Sequence, residues 1–423
     1  MWNPEPPTRR HFLKHVAGLS ALAVPGMNFM QALRAAGPTL KKQNKSLIIL
    51  WMGGGPSTID IWDLKPGSPN AGEFKPIKTS VSGIEICEHM PNVAKQMKNL
   101  ALIRSLTTTE GDHQRGTVLM STGRSPNPLT QWPHIGSVAA QQLTPKDLDL
   151  PSFVSVGGTA SRIGPGFLGM TYAPFTVQNP GQPPQNMSAG KDVNMNRRSE
   201  LFHSLENDFM KSRGASGEAA KAHRDIYEKA FGLVVGSAGK AFSLDDEKAA
   251  VEKYGNNNFG KGCLLARKLV EKGAVCVEVD LGGWDNHQGI FKALSEQRLP
   301  QLDKGMAALV EDLVQRGMWQ NTVVLWMGEF GRTPKINQNA GRDHWARCWS
   351  VALGGGAIKG GQVFGSTDEN GAAVKDNEVR IGDLFATVYK AMGIDPKVQI
   401  RDNLGRPSDI AGENAKPIAS LFG

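Results

Sequence analysis

Four short apolar runs along the chain have the length of single β-strands, at residues 46–52, 274–281, 322–327 and 349–353. Continuous apolar runs of this length are typical of strands buried on both faces of a parallel sheet. Residues 258–272 and 289–316 instead repeat apolar residues at a spacing of three and four, which predicts helices with one buried face. This alternation predicts an α/β fold in which helices sandwich a mainly parallel sheet.

A different composition marks residues 157–198, which are rich in glycine, proline, asparagine and glutamine. Long ordered loops of this kind often cover a functional site. The segment is therefore predicted to be a loop-rich insertion in the α/β domain, with a plain surface loop as the alternative.

Residues 1–36 have the pattern of an export signal. Arg9 and Arg10 precede an apolar run from Val16 to Val24, and small residues follow at 35–37. The run is shorter than the ~20 residues that span a bilayer. We therefore expect a twin-arginine signal peptide, export to the periplasm or the exterior, and an exported domain at 37–423. A basic amphipathic helix of the fold is the alternative interpretation.

The chain has a formal charge of +8, with 21% charged residues. Such a mild positive charge suits an anionic substrate without indicating one. Because no dense stripe of lysine and arginine with interleaved aromatic residues occurs, the composition argues against nucleic-acid binding. No later apolar run has the length of a membrane-spanning helix.

The spacing of the four cysteines matches no metal-binding or redox motif such as C-x-x-C. Cys263 and Cys276 lie inside apolar stretches, which predicts buried free thiols. Disulfides stay open as the alternative, because an oxidising compartment permits them.

Polar, glycine-rich turns follow three of the predicted strands, at residues 53–57, 282–287 and 328–332, and a further polar segment occupies 341–345. Ligands of parallel α/β sheets gather at the carboxyl ends of the strands. We therefore expect these segments to converge at one edge of the sheet.

Two of these segments each contain a carboxylate close to an imidazole, Asp285 with His287 and Asp343 with His344, and Glu329 adds another carboxylate. Mixed oxygen and nitrogen ligands favour zinc or manganese over calcium. The pattern therefore predicts a site for a divalent metal. Each pair taken alone is also common in polar loops.

The segment 111–116 follows an apolar stretch and is predicted to begin a helix that reaches Thr122. The free N–H groups of a helix N-terminus bind anions, and Arg115 or Arg124 would clamp an oxyanion. Asp112 as a helix cap and solvated arginines are the alternatives.

The turn at 53–57 has neither the lysine of a phosphate-binding loop nor the pattern of a nucleophile elbow. Its glycines still allow the backbone to approach a ligand closely. Ser57 is interpreted as a turn or cap residue rather than as a nucleophile.

Four motifs in order resemble an exported bacterial family, domain of unknown function 1501, which is grouped with the alkaline phosphatase and sulfatase superfamily. They are Trp-Met-Gly-Gly-Gly-Pro-Ser at 51–57 followed by Asp60, Gly-Trp-Asp-Asn-His at 283–287, Gly-Glu-Phe-Gly-Arg-Thr-Pro at 328–334 and Gly-Arg-Asp-His-Trp at 341–345. The resemblance covers roughly residues 40–420. It implies an α/β sandwich with one or two metals at the strand ends.

A second likeness to sulfatases lies in Met-Pro-Asn-Val-Ala at 90–94 and Ser-Thr-Gly-Arg-Ser-Pro at 121–126. In sulfatases the residue converted to formylglycine lies ten positions before that glycine, and His113 has this position here. The chain has no Cys-x-Pro-Ser-Arg motif, so formylglycine chemistry is not expected.

The chain also departs from the superfamily pattern at two positions. The first strand ends in Gly53–Gly55 where relatives have a metal-binding aspartate, and Asp60 is a candidate substitute. Glu329-Phe330 stands where relatives have Asp-His, so His344 or His113 would replace the histidine.

The resemblance implies a metal-dependent hydrolase of sulfate or phosphate esters, acting on an anionic small molecule or polysaccharide. The expected metal ligands are Asp285, His287, Asp343 and His344, with Glu329 and Asp60 as further candidates. The expected catalytic residues are His113, Arg115 and Arg332. For His113 the roles of ligand, general acid or base, and nucleophile all stay open.

Two other hypotheses accompany this one. The first is a non-catalytic exported protein on the same fold that binds an anionic glycan or a protein partner, since fold does not fix function. The second is a metal-free structural protein in which the Asp-His pairs only tie loops together.

Overall fold

The computed structural model describes residues 45–182, 184, 194–212, 224, 227 and 237–423, so the predicted signal at 1–36 lies outside the described residues. The strands, in chain order, are β1 Ser46–Trp51, β2 Pro76–Lys78, β3 Glu85–Cys87, β4 Leu100–Thr107, β5 Phe153–Val156, β6 Phe175–Val177, β7 Cys276–Asp280, β8 Thr322–Met327, β9 Gly331–Arg332, β10 His344–Trp345, β11 Trp349–Gly354, β12 Gln362–Phe364, β13 Ser366–Thr367, β14 Val374–Asp376, β15 Val379–Arg380, β16 Gln399–Arg401 and β17 Pro407–Asp409.

The α-helices, in chain order, are α1 Thr58–Ile61, α2 Pro91–Gln96, α3 His113–Thr122, α4 Ile135–Leu143, α5 Thr159–Ile163, α6 Met195–Ser212, α7 Lys248–Tyr254, α8 Asn258–Glu271, α9 Ile290–Ala293, α10 Leu299–Gln315 and α11 Ile381–Ala391. A π-helical segment, Leu294–Arg298, connects α9 to α10. Short 3₁₀ turns occupy Met97–Asn99, Gly166–Leu168, Met170–Tyr172, Ser237–Phe242, Asp245–Glu247, Trp319–Asn321 and Ala419–Leu421.

One nine-stranded sheet forms the centre of the described chain, in the order β12-β4-β11-β8-β1-β7-β5-β6, with β15 also paired to β4. Every pairing in this sheet is parallel except the two that β11 makes with β4 and β8. The predicted α/β fold with a mainly parallel sheet is confirmed. The apolar pattern did not reveal that β11 runs in the opposite direction.

Both faces of the sheet are buried, as the continuous apolar runs predict. In β1, Ile48 and Leu50 face a hydrophobic cluster that contains residues of α8 and α10, whereas Leu47 and Ile49 face a second cluster beneath α4 and α11. Burial of large apolar surface on each face supplies the main driving force for this layering.

The segment predicted as a loop-rich insertion is tied more closely to the sheet than its composition suggests. Its first half contains α5 and the edge strand β6, which pairs with β5 in parallel. At its end, α6 begins at Met195. Residues 185–193 lie outside the described part of the chain.

All four cysteines, Cys87, Cys263, Cys276 and Cys348, are buried free thiols. This confirms the prediction for Cys263 and Cys276. Across the described residues, no helix combines the length and the apolar character that crossing a membrane requires.

Candidate functional site

Four parallel strands end at one edge of the sheet, and the polar turns that follow them lie there. β1, β4, β7 and β8 share a direction, so the segments that follow them emerge at the same edge. Strand β11 is antiparallel, so the segment that precedes it, with His344, arrives at that edge as well. The short β9–β10 ribbon sets His344 directly opposite Arg332.

Three side chains from separate parts of the sequence offer ligand atoms that lie within 4.8 Å of one another: His113, Asp285 and His344. His113 begins α3, directly after the cap residue Asp112. His113 Nε2 is 3.2 Å from Asp285 Oδ2, and His344 Nε2 is 3.3 Å from Asp285 Oδ1. The Asp285 carboxylate therefore lies between the two imidazoles.

His287 completes the group, because its Nε2 atom lies 3.0 Å from Asp285 Oδ1 and 3.1 Å from His344 Nε2. The ring of Phe330 packs against His344 and His113, with ring centroids 4.6 and 5.0 Å apart. We call His113, Asp285, His287 and His344 the histidine cluster.

Each imidazole of the histidine cluster has an oxygen acceptor at its Nδ1 atom. His344 Nδ1 is 2.7 Å from the carbonyl oxygen of Gly111, His287 Nδ1 is 2.7 Å from Asp343 Oδ1, and His113 Nδ1 is 2.8 Å from Glu329 Oε1. An acceptor at Nδ1 selects the tautomer in which Nδ1 carries the hydrogen. In the neutral form, all three Nε2 atoms therefore present lone pairs to Asp285.

Glu329 is buried and fixes both His113 and the first turn of the site. Its Oε1 atom accepts hydrogen bonds from His113 Nδ1 and, at 2.8 Å, from the backbone N–H of Gly54. Its Oε2 atom is buried without a hydrogen-bond partner among the described residues, as is His113 Nε2. Unpaired buried polar atoms are rare, and they often mark places where a ligand belongs.

Arg332 lies beneath the histidine cluster with its side chain fully buried. Its Nη2 donates to Asp285 Oδ1 at 2.6 Å, and the carbonyl oxygens of Gly54, Gly55 and Arg342 accept its other hydrogen bonds. The guanidinium is therefore a fixed positive charge. Its Nη1 atom also lies 3.5 Å from His287 Nε2.

The charges of the site shift the pKa values of its members. Burial acts to raise the pKa of Asp285, but the hydrogen bond and charge of Arg332 outweigh it, and the pKa falls to about 2. The hydrogen bond to Glu329 raises the pKa of His113. The hydrogen bond from His287 lowers the pKa of Asp343. Asp285 is therefore anionic at neutral pH.

The histidine cluster fits a bound metal ion by its donor chemistry. Two neutral imidazoles whose Nε2 lone pairs face each other at 3.1 Å repel, unless a proton or a cation lies between them. Metal-binding histidines typically donate their other ring N–H to a carboxylate or a carbonyl, as all three do here. Three nitrogens and one carboxylate are typical ligands of a transition metal.

A family model described as "Protein of unknown function (DUF1501)" matches residues 44–422. The chain belongs to this family. The match confirms the family predicted from the four sequence motifs, and these motifs hold most members of the histidine cluster. No curated protein matches the chain.

Among solved structures, the family member is similar to Ps i-CgsB in complex with k-i-k-neocarrahexaose, at 11% identity and a TM-score of 0.41, over 84% of this chain and 73% of that one. It is also similar to the PsFucS1 sulfatase from Pseudoalteromonas sp., at 13% identity and a TM-score of 0.37, over 86% of this chain and 71% of that one. A third similar structure is alkaline phosphatase from the Antarctic bacterium TAB5, at 14% identity and a TM-score of 0.35, over 84% of this chain and 99% of that one.

Two other predicted metal ligands, Asp343 and Glu329, accept the Nδ1 hydrogens of His287 and His113. Their role as metal ligands stays a prediction. Conversely His113, for which three roles were open, offers its Nε2 atom beside Asp285.

Asp60, another predicted ligand, is instead part of a buried ion pair. Arg342 Nε and Nη2 donate to its two carboxylate oxygens at 2.7 and 2.8 Å, and Ser57 Oγ donates at 2.6 Å. Both carboxylate oxygens are therefore engaged by hydrogen bonds, and a metal-ligand role for Asp60 stays a prediction. Asp60 anchors the segment that carries Asp343, and Ser57, which is 1% exposed, is not an accessible nucleophile.

The two other arginines considered from the sequence make contacts elsewhere. The Arg115 side chain is exposed and bonded to Glu110 at 2.7 and 2.8 Å. Arg124 donates to Ser408 Oγ and the carbonyl oxygen of Asp409. Asp112 caps α3 by accepting the backbone N–H of Arg115. A catalytic role for Arg115 therefore stays a prediction.

Sequence analysis missed the backbone groups that hold the site. Gly54 and Gly55 accept hydrogen bonds from Arg332, and Gly111 accepts one from His344. A Cβ atom on Gly54, whose φ is +118°, would lie 2.5 Å from the backbone nitrogen of Asp285. The run of glycines was the available signal for this close approach.

Proposed function

We propose that this chain is a metal-dependent hydrolase of sulfate or phosphate esters, and that the histidine cluster holds its metal. The observation that carries the proposal is the set of three Nε2 atoms directed at Asp285, each with its Nδ1 atom bonded to an oxygen. This arrangement restricts each imidazole to one tautomer and one ring orientation, as a metal site requires. The sequence-based expectation of export accompanies the proposal.

In this proposal His113, Asp285, His287 and His344 are the ligands. The nitrogen-rich donor set favours zinc or manganese over calcium. When bound, such a metal acts as a Lewis acid and lowers the pKa of a water molecule. Glu329, Asp343 and the Gly111 carbonyl hold the three imidazoles in place.

Arg332 supplies the positive charge for an anionic ester. Three backbone carbonyls fix its guanidinium, so it does not have to reorganise when charge develops on the substrate. Its Nη1 atom donates to the carbonyl oxygen of Arg342 at 3.0 Å and lies 3.5 Å from His287 Nε2, and we assign the remaining hydrogen of this atom to a sulfate or phosphate oxygen. Ser57 is buried, which favours attack by water over attack by that hydroxyl.

The site is open to solvent, which suits a substrate larger than a simple anion. The side chains of Asp285 and His287 are 46% and 45% exposed. An anionic polysaccharide ester therefore stays within the proposed substrate class, beside small esters.

The decisive experiment compares the purified protein with a His287→Ala, His344→Ala double variant. Elemental analysis after loading with zinc or manganese is expected to find about one equivalent in the parent protein and none in the variant. Turnover of 4-nitrophenyl sulfate or 4-nitrophenyl phosphate is expected to disappear with the metal. His89→Ala is the matched control, because His89 packs against Phe74 outside the cluster.

Each result has a definite meaning. Metal binding without turnover of either ester class would favour the non-catalytic binder of an anionic glycan or protein partner. A parent protein that takes up no metal would overturn the hydrolase proposal and favour a structural role. A double variant that keeps both metal and turnover would locate the chemistry elsewhere in the chain.

A further inference from the structure

A second group of polar atoms lies buried on the sheet face covered by α4, beside strands β5 and β7. Three side-chain oxygens there are buried without a hydrogen-bond partner among the described residues: Ser155 Oγ, Glu278 Oε1 and Asp280 Oδ1. Ser155 and Glu278 are each 0% exposed. We call these three atoms the buried oxygen group.

The strand register brings these residues to one face of the sheet. Ser155 on β5 is directly opposite Glu278 on β7, and side chains of directly paired residues point to the same face. Asp280 lies two residues after Glu278 and therefore shares that face. Helix α4 packs over β5 and β7 and covers this face.

The neighbouring histidine does not neutralise these carboxylates. His134 Nδ1 accepts the backbone N–H of Gly136 at 2.9 Å, so its hydrogen is on Nε2, which donates to Glu278 Oε2 at 3.0 Å. His134 is therefore neutral. Asp280 Oδ2 accepts the backbone N–H of Thr159 at 2.8 Å. Within the described part of the chain, each carboxylate thus has one oxygen that accepts a hydrogen bond and one that has no partner.

Leaving two carboxylates in this state is energetically unfavourable, because a buried charge needs a partner. Burial, together with the charge of Glu278, raises the pKa of Asp280 to about 7. Arg162, the cation near Asp280, donates to Thr159 Oγ1 rather than to a carboxylate. Ser155 Oγ and Glu278 Oε1 lie at directly paired positions on one face of the sheet, and they do not bond each other.

We propose that the buried oxygen group binds a hard divalent cation, magnesium or calcium. Such ions take carboxylate and hydroxyl oxygens as ligands, in contrast to the nitrogen-rich histidine cluster. Two carboxylates match the charge of a divalent ion. Asp280 is partly exposed at the end of β7, which gives the ion a route to the site. None of its residues belongs to the histidine cluster, and the proposal does not depend on hydrolase activity.

The test uses the full chain carrying His113→Ala and His344→Ala, which removes the histidine cluster as a competing site. After dialysis against a chelator, calcium and magnesium are titrated separately, with calorimetry and thermal unfolding as readouts. One bound ion is expected, with a rise in Tm of about 3–5 °C at a hundredfold excess over Kd. The tighter of the two ions identifies the native one.

Two variants locate the ion. Asp280→Asn is expected to abolish the rise in Tm, and Ser155→Ala, which removes only a hydroxyl, is expected to weaken binding in a chain that still folds. Asp303→Asn is the matched control: its buried carboxylate accepts the backbone N–H groups of Asn92 and Val93 at the start of α2, so the response to the cation should persist.

Two outcomes would overturn the proposal. No response of Tm to either ion, with an Asp280→Asn variant at least as stable as the parent, would assign a shared proton or ordered water to the buried oxygen group. Unchanged calcium or magnesium binding in both Asp280→Asn and Ser155→Ala would assign the ion to another part of the chain.

Discussion

The histidine cluster and the Asp60–Arg342 ion pair each take one residue from the segment 341–345, His344 and Arg342, yet their polar atoms are used in opposite ways. Both oxygens of Asp60 accept hydrogen bonds from Arg342, and both residues are buried. In the histidine cluster the side chains are partly exposed, and three Nε2 atoms converge on one carboxylate.

This difference separates a structural role from a functional one. In a buried ion pair the two charged groups bind each other rather than a ligand. Removing one of them lowers the stability of the fold. Groups that are held firmly at one end and left open at the other are arranged for a ligand. The sequence motifs contain both kinds of carboxylate without distinguishing them.

The largest effect is expected from breaking the ion pair. Asp60→Ala would leave the buried Arg342 guanidinium without a carboxylate to balance its charge, and should lower the free energy of unfolding by about 3–5 kcal/mol, measured by chemical denaturation. Glu110→Gln, which breaks the more exposed ion pair with Arg115, should lower the free energy of unfolding far less, because solvent screens that pair. Equal losses for the two variants would contradict the structural role of Asp60.

The second-largest loss of stability is expected from a substitution in the glycine turn at 53–55, which lies beneath the site. Gly54→Ala combines a positive φ with a clash against the Asp285 backbone, and should cost about 2–4 kcal/mol. Gly67 has a φ of +85° and open space around a Cβ atom, so Gly67→Ala should cost only about 1 kcal/mol. Similar losses in thermal unfolding would show that close packing at Gly54 is unimportant.

Glu329 and Asp343, which accept hydrogen bonds from His113 and His287, test the histidine cluster itself. Glu329→Gln should weaken metal binding by about 10–100-fold, because it loosens the His113 ring. Asp343→Asn should act similarly through His287. The measurement is competition for the metal against a chelator. An unchanged affinity in both variants would show that these carboxylates do not support the ligands.

The smallest effect is expected at Arg115. Because its exposed guanidinium is bonded to Glu110, Arg115→Ala should leave metal affinity unchanged and have little effect on stability. The rate of ester hydrolysis by the Arg115→Ala variant tests the predicted catalytic role of Arg115. A large fall in kcat/KM with intact metal binding would place Arg115 in catalysis after all.

Much of the scaffold follows from local sequence. The apolar runs at β1, β7 and β8 predicted strands buried on both faces, and the polar turns after them were correctly expected at one edge of the sheet. Because parallel strands end at a common edge, Asp285 and Glu329 could be grouped from their positions alone.

The sequence alone therefore determined the fold class, the family and the set of residues from which a site could be built, since these depend on local pattern and motif. Only the tertiary structure decided which carboxylate does what. Asp60 meets Arg342 across 282 positions of sequence, and His113 meets Glu329 across 216. Burial and hydrogen-bond partners at such separations depend on the packing of the whole sheet, which no local pattern specifies.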